Sequence, residues 1–153
     1  MSLQDDLNLP GEPGTYVLWM QLTGRITVQV GKLGRMTLPP GMYAYVGSAH
    51  GPGGLRARVQ RHLRPHKPVH WHIDAVTALV LVQAIWFEPS PERLECRWAR
   101  TLAALPDVAM PLPGFGSSDC RCRSHFFAVP PGSMRQAWEA LGRPAAGPSA
   151  PRE

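Results

Sequence analysis

The segment from Gly41 to Leu63 joins an apolar strand pattern, a glycine-rich break and a basic helical pattern in one continuous stretch. Met42 to Val46 is aromatic and β-branched, which favours a strand. Glycines between 51 and 54 interrupt that pattern, and from Leu55 the apolar residues recur at helical spacing. A tyrosine-bearing strand that ends where a basic helix begins places phenols and cations at one edge of a sheet. This arrangement suits a surface that handles phosphate.

The predicted helix has a buried stripe and two charged flanks. Leu55, Val59 and Leu63 recur every four residues and form the stripe. Arg58 and His62 are also four residues apart, so their side chains meet on one flank. The residues predicted to contact nucleic acid are Ser48, Arg56, Arg61, Arg64 and Lys67.

Composition indicates one globular domain with a basic surface. The chain has 153 residues, of which 44% are hydrophobic and 18% charged, and its formal charge is +5. The positive excess is concentrated between Arg56 and Lys67, which favours a polyanionic partner. We expect a loosely held lead at 1–12, one domain at 13–142 and a disordered tail at 143–153.

The sequence gives no sign of a membrane span or of export. It has no apolar run long enough to cross a bilayer, and its first residues are acidic where a secretory signal would be basic. Cys96, Cys120 and Cys122 are an odd number, so we expect reduced thiols and a cytoplasmic location.

The remaining patterns predict an α+β fold, with a small mixed or antiparallel sheet flanked by helices. Outside the segment from Gly41 to Leu63, strand patterns cover Gly14–Leu22, Arg25–Val30, Val80–Phe87 and Ser124–Val129. The first two are separated by Thr23-Gly24 and predict a β-hairpin, followed by a turn at 31–35.

Two helices are predicted in the second half of the chain. Ser90-Pro91 is a helix cap followed by a favoured first residue, and Leu94, Trp98 and Leu102 mark the inner face of the helix that follows. Glu95 lies at the edge of that face. A last helix is expected from Ser133, as its cap, to Leu141.

Two tripeptides and three distant residues form an ordered set: Gly14-Thr-Tyr16, Tyr45-Val-Gly47, Arg58, His62 and Glu95. This set resembles the GIY-YIG nuclease family. The resemblance implies that the tripeptides lie on adjacent antiparallel strands, that Arg58 lies on the next helix, and that Glu95 binds a divalent metal from a later helix.

Longer segments are similar to one subgroup of that family. They lie at 45–55, 61–64, 70–74 and 114–122, together with Glu95-Cys96. The subgroup consists of small proteins, which are also found fused to DNA glycosylases of the endonuclease III type. The spacing from Gly14 to Tyr45 is longer than in the family, so the sheet is expected to be larger. The family's later asparagine has no counterpart, and the alternatives for its contact are Ser117, Ser118 and Asp119.

The resemblance implies a catalytic set of Tyr16, Tyr45, Arg58, His62 and Glu95. Glu95 would bind a single Mg²⁺ or Mn²⁺ ion, and Arg58 would grip phosphoryl oxygens with two N–H groups. Tyr16 and Tyr45 would orient or deprotonate water, and His62 would carry the proton. Which group takes the proton is left open.

A rival metal site is suggested by histidines and cysteines in the middle of the chain. The candidates are His62, His66, His70, His72, Cys120, Cys122 and His125. Zinc is disfavoured, because paired cysteines in zinc sites usually have two or more residues between them. Packing of His70, Trp71 and His72 against the sheet is the preferred explanation, with Asp74 as a local cap or ion-pair partner.

The sequence therefore predicts a divalent-metal-dependent endonuclease that acts on DNA rather than RNA, with damaged or branched DNA as candidate substrates. The first alternative is a nucleic-acid-binding module of the same fold without catalysis. The second is a zinc-stabilised regulatory protein.

Overall fold

The computed structural model describes residues 8–117, 120–148 and 150–151. Within them the fold is α+β, as predicted. The strands are β1 (Gly14–Leu22), β2 (Ile26–Val30), β3 (Gly34–Leu38), β4 (Gly41–Ala49), β5 (Val82–Pro89), β6 (Phe126–Val129) and β7 (Ala145–Gly147), and the helices are α1 (Gly54–Leu63), α2 (His72–Thr77), α3 (Glu95–Ala103) and α4 (Met134–Ala140). No helix in this part of the chain has the length and apolar character that crossing a bilayer requires.

The main sheet is antiparallel, with strand order β6-β4-β1-β5-β7. In the pairing of β1 with β4, Tyr16 lies opposite Gly47 and Leu18 lies opposite Tyr45. Since residues two apart on a strand and residues directly opposite share a face, both tyrosines lie on the same side of the sheet. The predicted adjacency of the two tyrosine-bearing strands is confirmed.

Two hydrophobic layers cover the two faces of this sheet. Tyr16, Leu18 and Tyr45 pack on one face with Leu55 and Val59 of α1. The other face carries Val17, Trp19 and Trp86, which pack with Trp98 and Leu102 of α3. Alternation of side chains along β1 therefore divides the core in two, and the site described below lies at one end of the sheet.

The predicted hairpin between β1 and the next strand is wrong. The second strand, β2, pairs instead with β3 in a separate two-stranded sheet, and β3 includes residues that were predicted to form a turn. The physical reason is that β4 and β5 already occupy both edges of β1. The small sheet packs Val28, Val30, Met36 and Leu38 into the core instead.

Helix α3 begins at Glu95, four residues beyond the predicted first residue. The Oγ of Ser90 accepts a hydrogen bond from the N–H of Glu92, a local turn that competes with helix formation. The last helix lies where it was predicted, but the Ser133 side chain makes no capping bond.

The predicted disordered tail is wrong at Ala145–Gly147. These residues form β7 and pair with Ile85, Trp86 and Phe87 of β5, because the free edge of β5 offers unpaired backbone groups.

A buried ion pair joins α1 to α2. Arg61 donates to both carboxylate oxygens of Asp74, at 3.0 and 3.1 Å, and the Asp74 side chain is fully buried. Asp74 also accepts from the backbone N–H groups of His70 and Trp71, as the predicted local cap would. Burial alone would raise the pKa of Asp74, but the Arg61 hydrogen bond and the two backbone bonds lower it below its usual value.

Replacing Asp74 by Asn is expected to destabilise the protein by about 3 kcal/mol at pH 7, because Arg61 loses its buried partner. Since folding lowers the pKa of Asp74, the stabilisation is complete above the unfolded-state pKa of about 3.9 and disappears as pH falls through the lower folded pKa. Urea unfolding at several pH values measures this. The difference between wild type and Asp74→Asn should shrink below pH 4; a difference that grows there would contradict the assignment.

Candidate functional site

A cavity of about 380 Å³ opens beside the start of β1 and the end of β4, next to the start of α3. Five residues that were predicted as catalytic or as nucleic-acid contacts line it: Tyr16, Tyr45, Ser48, Arg58 and Glu95. Glu95 is the first residue of α3, and its side chain is 28% exposed. The described lining includes no other carboxylate, and Arg58 and Arg93 supply guanidinium groups.

Arg58 is held by two contacts on the wall of this cavity. Its Nη1 donates to the backbone oxygen of Ser48 at 2.9 Å, and its guanidinium lies 4.4 Å from the centre of the Trp71 ring. These contacts fix the orientation of the cation before any ligand arrives, which lowers the entropy lost on binding.

Tyr16 and His62 form a buried hydrogen-bonded pair behind the cavity. The Tyr16 hydroxyl lies 2.6 Å from Nε2 of His62. Burial raises the pKa of Tyr16 well above its usual value and lowers the pKa of His62 to about 3. At neutral pH the imidazole is therefore neutral, and His62 positions the phenol rather than carrying protons to solvent. The proton-carrying role predicted for His62 is not supported by this burial.

Burial also raises the pKa of Tyr45, and the neighbouring Glu95 carboxylate raises it further. Both phenols are thus protonated at neutral pH, and the Tyr45 hydroxyl can donate a hydrogen bond into the cavity. Neither is a base in the protein as it stands.

The other predicted nucleic-acid contacts lie outside the cavity lining. Arg56 donates to the backbone oxygen of Leu9, and Arg61 pairs with Asp74. Lys67 donates to the backbone oxygens of His62 and Arg64. Arg56 and Arg61 therefore join α1 to Leu9 and to α2, and Lys67 binds carbonyls at the C-terminal end of α1. A run of basic residues in a sequence does not reveal these structural roles.

Four side chains could hold a metal ion: Cys96, Cys120, Cys122 and His125. Cys120 and His125 also line the cavity. Their ligand atoms all lie within 4.8 Å of one another. This finding corrects the sequence prediction, which disfavoured a site at the cysteines because Cys120 and Cys122 are too close in sequence. The missing ligand was Cys96, which reaches the cluster from α3. Burial raises the pKa of Cys122 to about 12, and hydrogen bonds with Cys96 and Cys120 act in the same direction.

The other predicted metal histidines do not join this cluster. His62 contacts Tyr16, and Nδ1 of His72 accepts from the N–H of Gly116 at 2.9 Å. The ring of His70 packs against that of Trp71, in agreement with the alternative prediction for this segment.

His125 connects the cluster to the cavity. Its Nε2 lies 3.3 Å from Sγ of Cys120, while Nδ1 lies 3.2 Å from the backbone oxygen of Val46 and 3.7 Å from Oε2 of Glu95. Because the carbonyl can only accept, the proton belongs on Nδ1, and Nε2 faces the thiols with its lone pair. A carbonyl partner on the second ring nitrogen is typical of metal-binding histidines.

The sequence analysis missed His50, Trp71 and Arg93 in the cavity lining. His50 lies in the glycine-rich loop after β4. That position was the only feature of the sequence that could have marked it as a site residue. Among the candidates for the missing asparagine, Ser117 is buried and does not line the cavity, while Ser118 and Asp119 lie outside the described residues.

These features define an α+β protein with a basic cavity that holds one carboxylate and adjoins a Cys3His cluster. The chain belongs to the family described as "Domain of unknown function DUF123", which matches residues 15–143. That range contains all residues of the cavity and the cluster discussed here. Neither the curated proteins nor the solved structures contain a match.

The predicted membership of the GIY-YIG nuclease family is therefore wrong, because the matching family is not a GIY-YIG nuclease family. The Thr, Tyr and Val of the two tripeptides are common in strands, so the tripeptides do not identify a family by themselves. The cavity must be interpreted from its own geometry.

The contact between Gly47 and Tyr16 provides a test of how the site is built. A Cβ on Gly47 would lie 2.4 Å from both Cζ and the hydroxyl oxygen of Tyr16. Gly47→Ala should therefore displace the ring from His62 and destabilise the protein by about 1–3 kcal/mol. Chemical unfolding measures this against Gly24→Ala, whose added Cβ would meet nothing within 4 Å. Equal stability of the two variants would show that Tyr16 does not depend on this contact.

Proposed function

We propose that the cavity binds the phosphodiester backbone of a nucleic acid, DNA in preference to RNA, and hydrolyses it with a divalent cation. The observation that carries this proposal is the convergence of a fixed guanidinium, two phenols and one carboxylate on a single cavity. Phosphodiester cleavage requires charge neutralisation on the phosphoryl oxygens, an activated nucleophile and stabilisation of the leaving oxygen. The chain supplies candidate groups for the first two of these requirements.

Arg58 is the candidate phosphate ligand. A guanidinium matches two phosphoryl oxygens at once, and the contacts with Ser48 and Trp71 hold it ready. Arg93 adds a second cation to the lining, and the chain as a whole carries a formal charge of +5. This charge favours DNA at low ionic strength, so binding should weaken as salt increases.

Glu95 is the candidate ligand for a catalytic Mg²⁺ or Mn²⁺ ion. Such ions are commonly held by one or two carboxylates together with substrate phosphates and several waters. A single carboxylate beside a phosphate-binding arginine fits that donor set. When bound, the cation would supply charge neutralisation and lower the pKa of a water. Tyr45 would donate a hydrogen bond that orients the phosphate, while the Tyr16 hydroxyl stays paired with Nε2 of His62.

Glu95→Gln and Arg58→Ala are each expected to lower the rate of plasmid nicking by about 10²–10³-fold, because each variant removes charge stabilisation. The assay measures supercoiled plasmid lost over time with Mg²⁺ or Mn²⁺, and chelation with EDTA should stop the reaction.

Two matched variants separate local chemistry from a change in overall charge. Glu88→Gln and Arg97→Ala make the same charge changes outside the lining of the cavity, and both should nick at the wild-type rate. Nicking that survives Glu95→Gln would refute the proposed role of that carboxylate.

We further propose that the Cys3His cluster holds zinc as a structural ion. Three thiolates and one imidazole are soft ligands in the number that tetrahedral structural zinc sites use. Bound zinc would tie the segment around Cys120 and Cys122 to the first turn of α3, next to Glu95. Its contribution would be to stability and not to the chemical step.

Purified protein is expected to contain about one equivalent of zinc, and His125→Ala should lose that metal and unfold at a lower temperature. Elemental analysis and thermal unfolding measure the two effects. His66→Ala, which changes an exposed histidine outside the cluster, is the control. Metal-free wild-type protein with an unchanged melting temperature would contradict a structural role.

The alternative function is a zinc-stabilised module that binds nucleic acid without cutting it. The single carboxylate in the cavity favours this alternative, because it offers a catalytic cation few protein ligands. Salt-dependent DNA binding with no nicking in Mg²⁺ or Mn²⁺ would support the alternative over the nuclease.

A further inference from the structure

Ser48 and His50 form a hydrogen-bonded pair on the wall of the cavity. Ser48 lies near the end of β4, and His50 follows that strand. The Oγ of Ser48 lies 2.8 Å from Nδ1 of His50, and Nε2 of His50 lies 3.2 Å from the backbone oxygen of Glu92. Both side chains line the same cavity as Arg58 and Glu95.

The partners of His50 determine where the protons lie. The Glu92 carbonyl can only accept, so Nε2 of neutral His50 carries the proton and donates it to that oxygen. Nδ1 therefore has a free lone pair, and the Ser48 hydroxyl donates to it. This is an arrangement of hydroxyl, base and orienting acceptor, which is the general geometry of an activated nucleophile.

The environment of Ser48 also suits a reaction at phosphorus. Arg58 donates to the backbone oxygen of Ser48, so a fixed cation is bound to the residue whose hydroxyl would attack. By contrast, the hydroxyls of Thr77 and Thr101 donate to backbone oxygens inside their own helices. Those bonds satisfy the hydroxyl locally and offer no base.

We propose that Ser48 is a nucleophile activated by His50, and that it forms a covalent ester with the phosphoryl group of the substrate. This inference rests on the proposed function for its substrate class. The Oγ would attack phosphorus while its proton passes to Nδ1 of His50. The P–O bond to the leaving alcohol would break with its electron pair on that oxygen, which takes the proton from Nδ1. Water would then hydrolyse the serine phosphodiester by the same proton path and restore Ser48.

A fluorophosphonate probe tests the nucleophile without DNA or a divalent cation. Its phosphorus accepts the serine oxygen and releases fluoride, so labelling adds a stable mass to Ser48. Intact-mass and peptide mass spectrometry should find the adduct on Ser48 in wild-type protein and no adduct in Ser48→Ala. His50→Gln, which keeps a hydrogen-bond acceptor but removes the base, should label at least about 100-fold more slowly.

Ser133→Ala is the matched control, because the Ser133 side chain makes no capping bond and lies outside this cavity. It should label as the wild type does, and thermal unfolding should show that all three variants are folded. Absence of label on wild-type Ser48, or an unchanged rate in His50→Gln, would overturn the inference.

The outcome is separable from that of the proposed function. Label on Ser48 in a protein that nicks no DNA would leave the nucleophile standing and refute the nuclease. Nicking that persists in Ser48→Ala would leave the nuclease standing and refute the covalent step.

Discussion

The antiparallel pairing of β1 with β4 is the constraint on which the rest of the structure depends. It sets Tyr16 opposite Gly47, and the tyrosine ring occupies the volume that any larger residue at that position would need. With the ring there, the phenol reaches His62 of α1, and α1 in turn presents Arg58 to the cavity. A shift of one residue in this pairing would turn Tyr16 to the other face of the sheet, away from His62 and the cavity.

The cavity and the Cys3His cluster share one wall. Glu95 and Cys96 are neighbours at the start of α3, yet the carboxylate lines the cavity and the thiol belongs to the cluster. His125 contacts both sides, with one ring nitrogen towards Cys120 and the other towards Glu95. A rearrangement of the thiols would therefore move the Glu95 carboxylate in two ways, through the backbone of α3 and through the imidazole of His125.

Local patterns predicted the parts of the structure that local physics determines. The apolar spacing of Leu55 and Val59 identified α1, and the apolar run before Phe87 identified β5. The separate β2–β3 sheet was missed because the competition of strands for the edges of β1 is a tertiary effect. Cys96 was not recognised as a possible metal ligand for the same kind of reason, since its thiol lies near Cys120 and Cys122 only after α3 packs on the sheet.

Four of the five residues that were predicted as catalytic line one cavity: Tyr16, Tyr45, Arg58 and Glu95. The family to which they were assigned was wrong. His62 was predicted to carry a proton, but its burial lowers its pKa and does not support that role. The depth of a side chain depends on the packing of several elements, and neither residue type nor spacing reports it. His50 was overlooked because its significance comes from the backbone oxygen of Glu92, which is distant in sequence.

The central claim is that one cavity brings a phosphate ligand and a cation ligand together. Anomalous diffraction at the manganese edge, from crystals soaked with Mn²⁺ and a thymidine monophosphate, tests it most directly. If the claim is correct, we expect a manganese peak at the Glu95 carboxylate, with the nucleotide phosphate bound by Arg58. A nucleotide bound elsewhere, or manganese that avoids Glu95 while phosphate occupies the cavity, would contradict it.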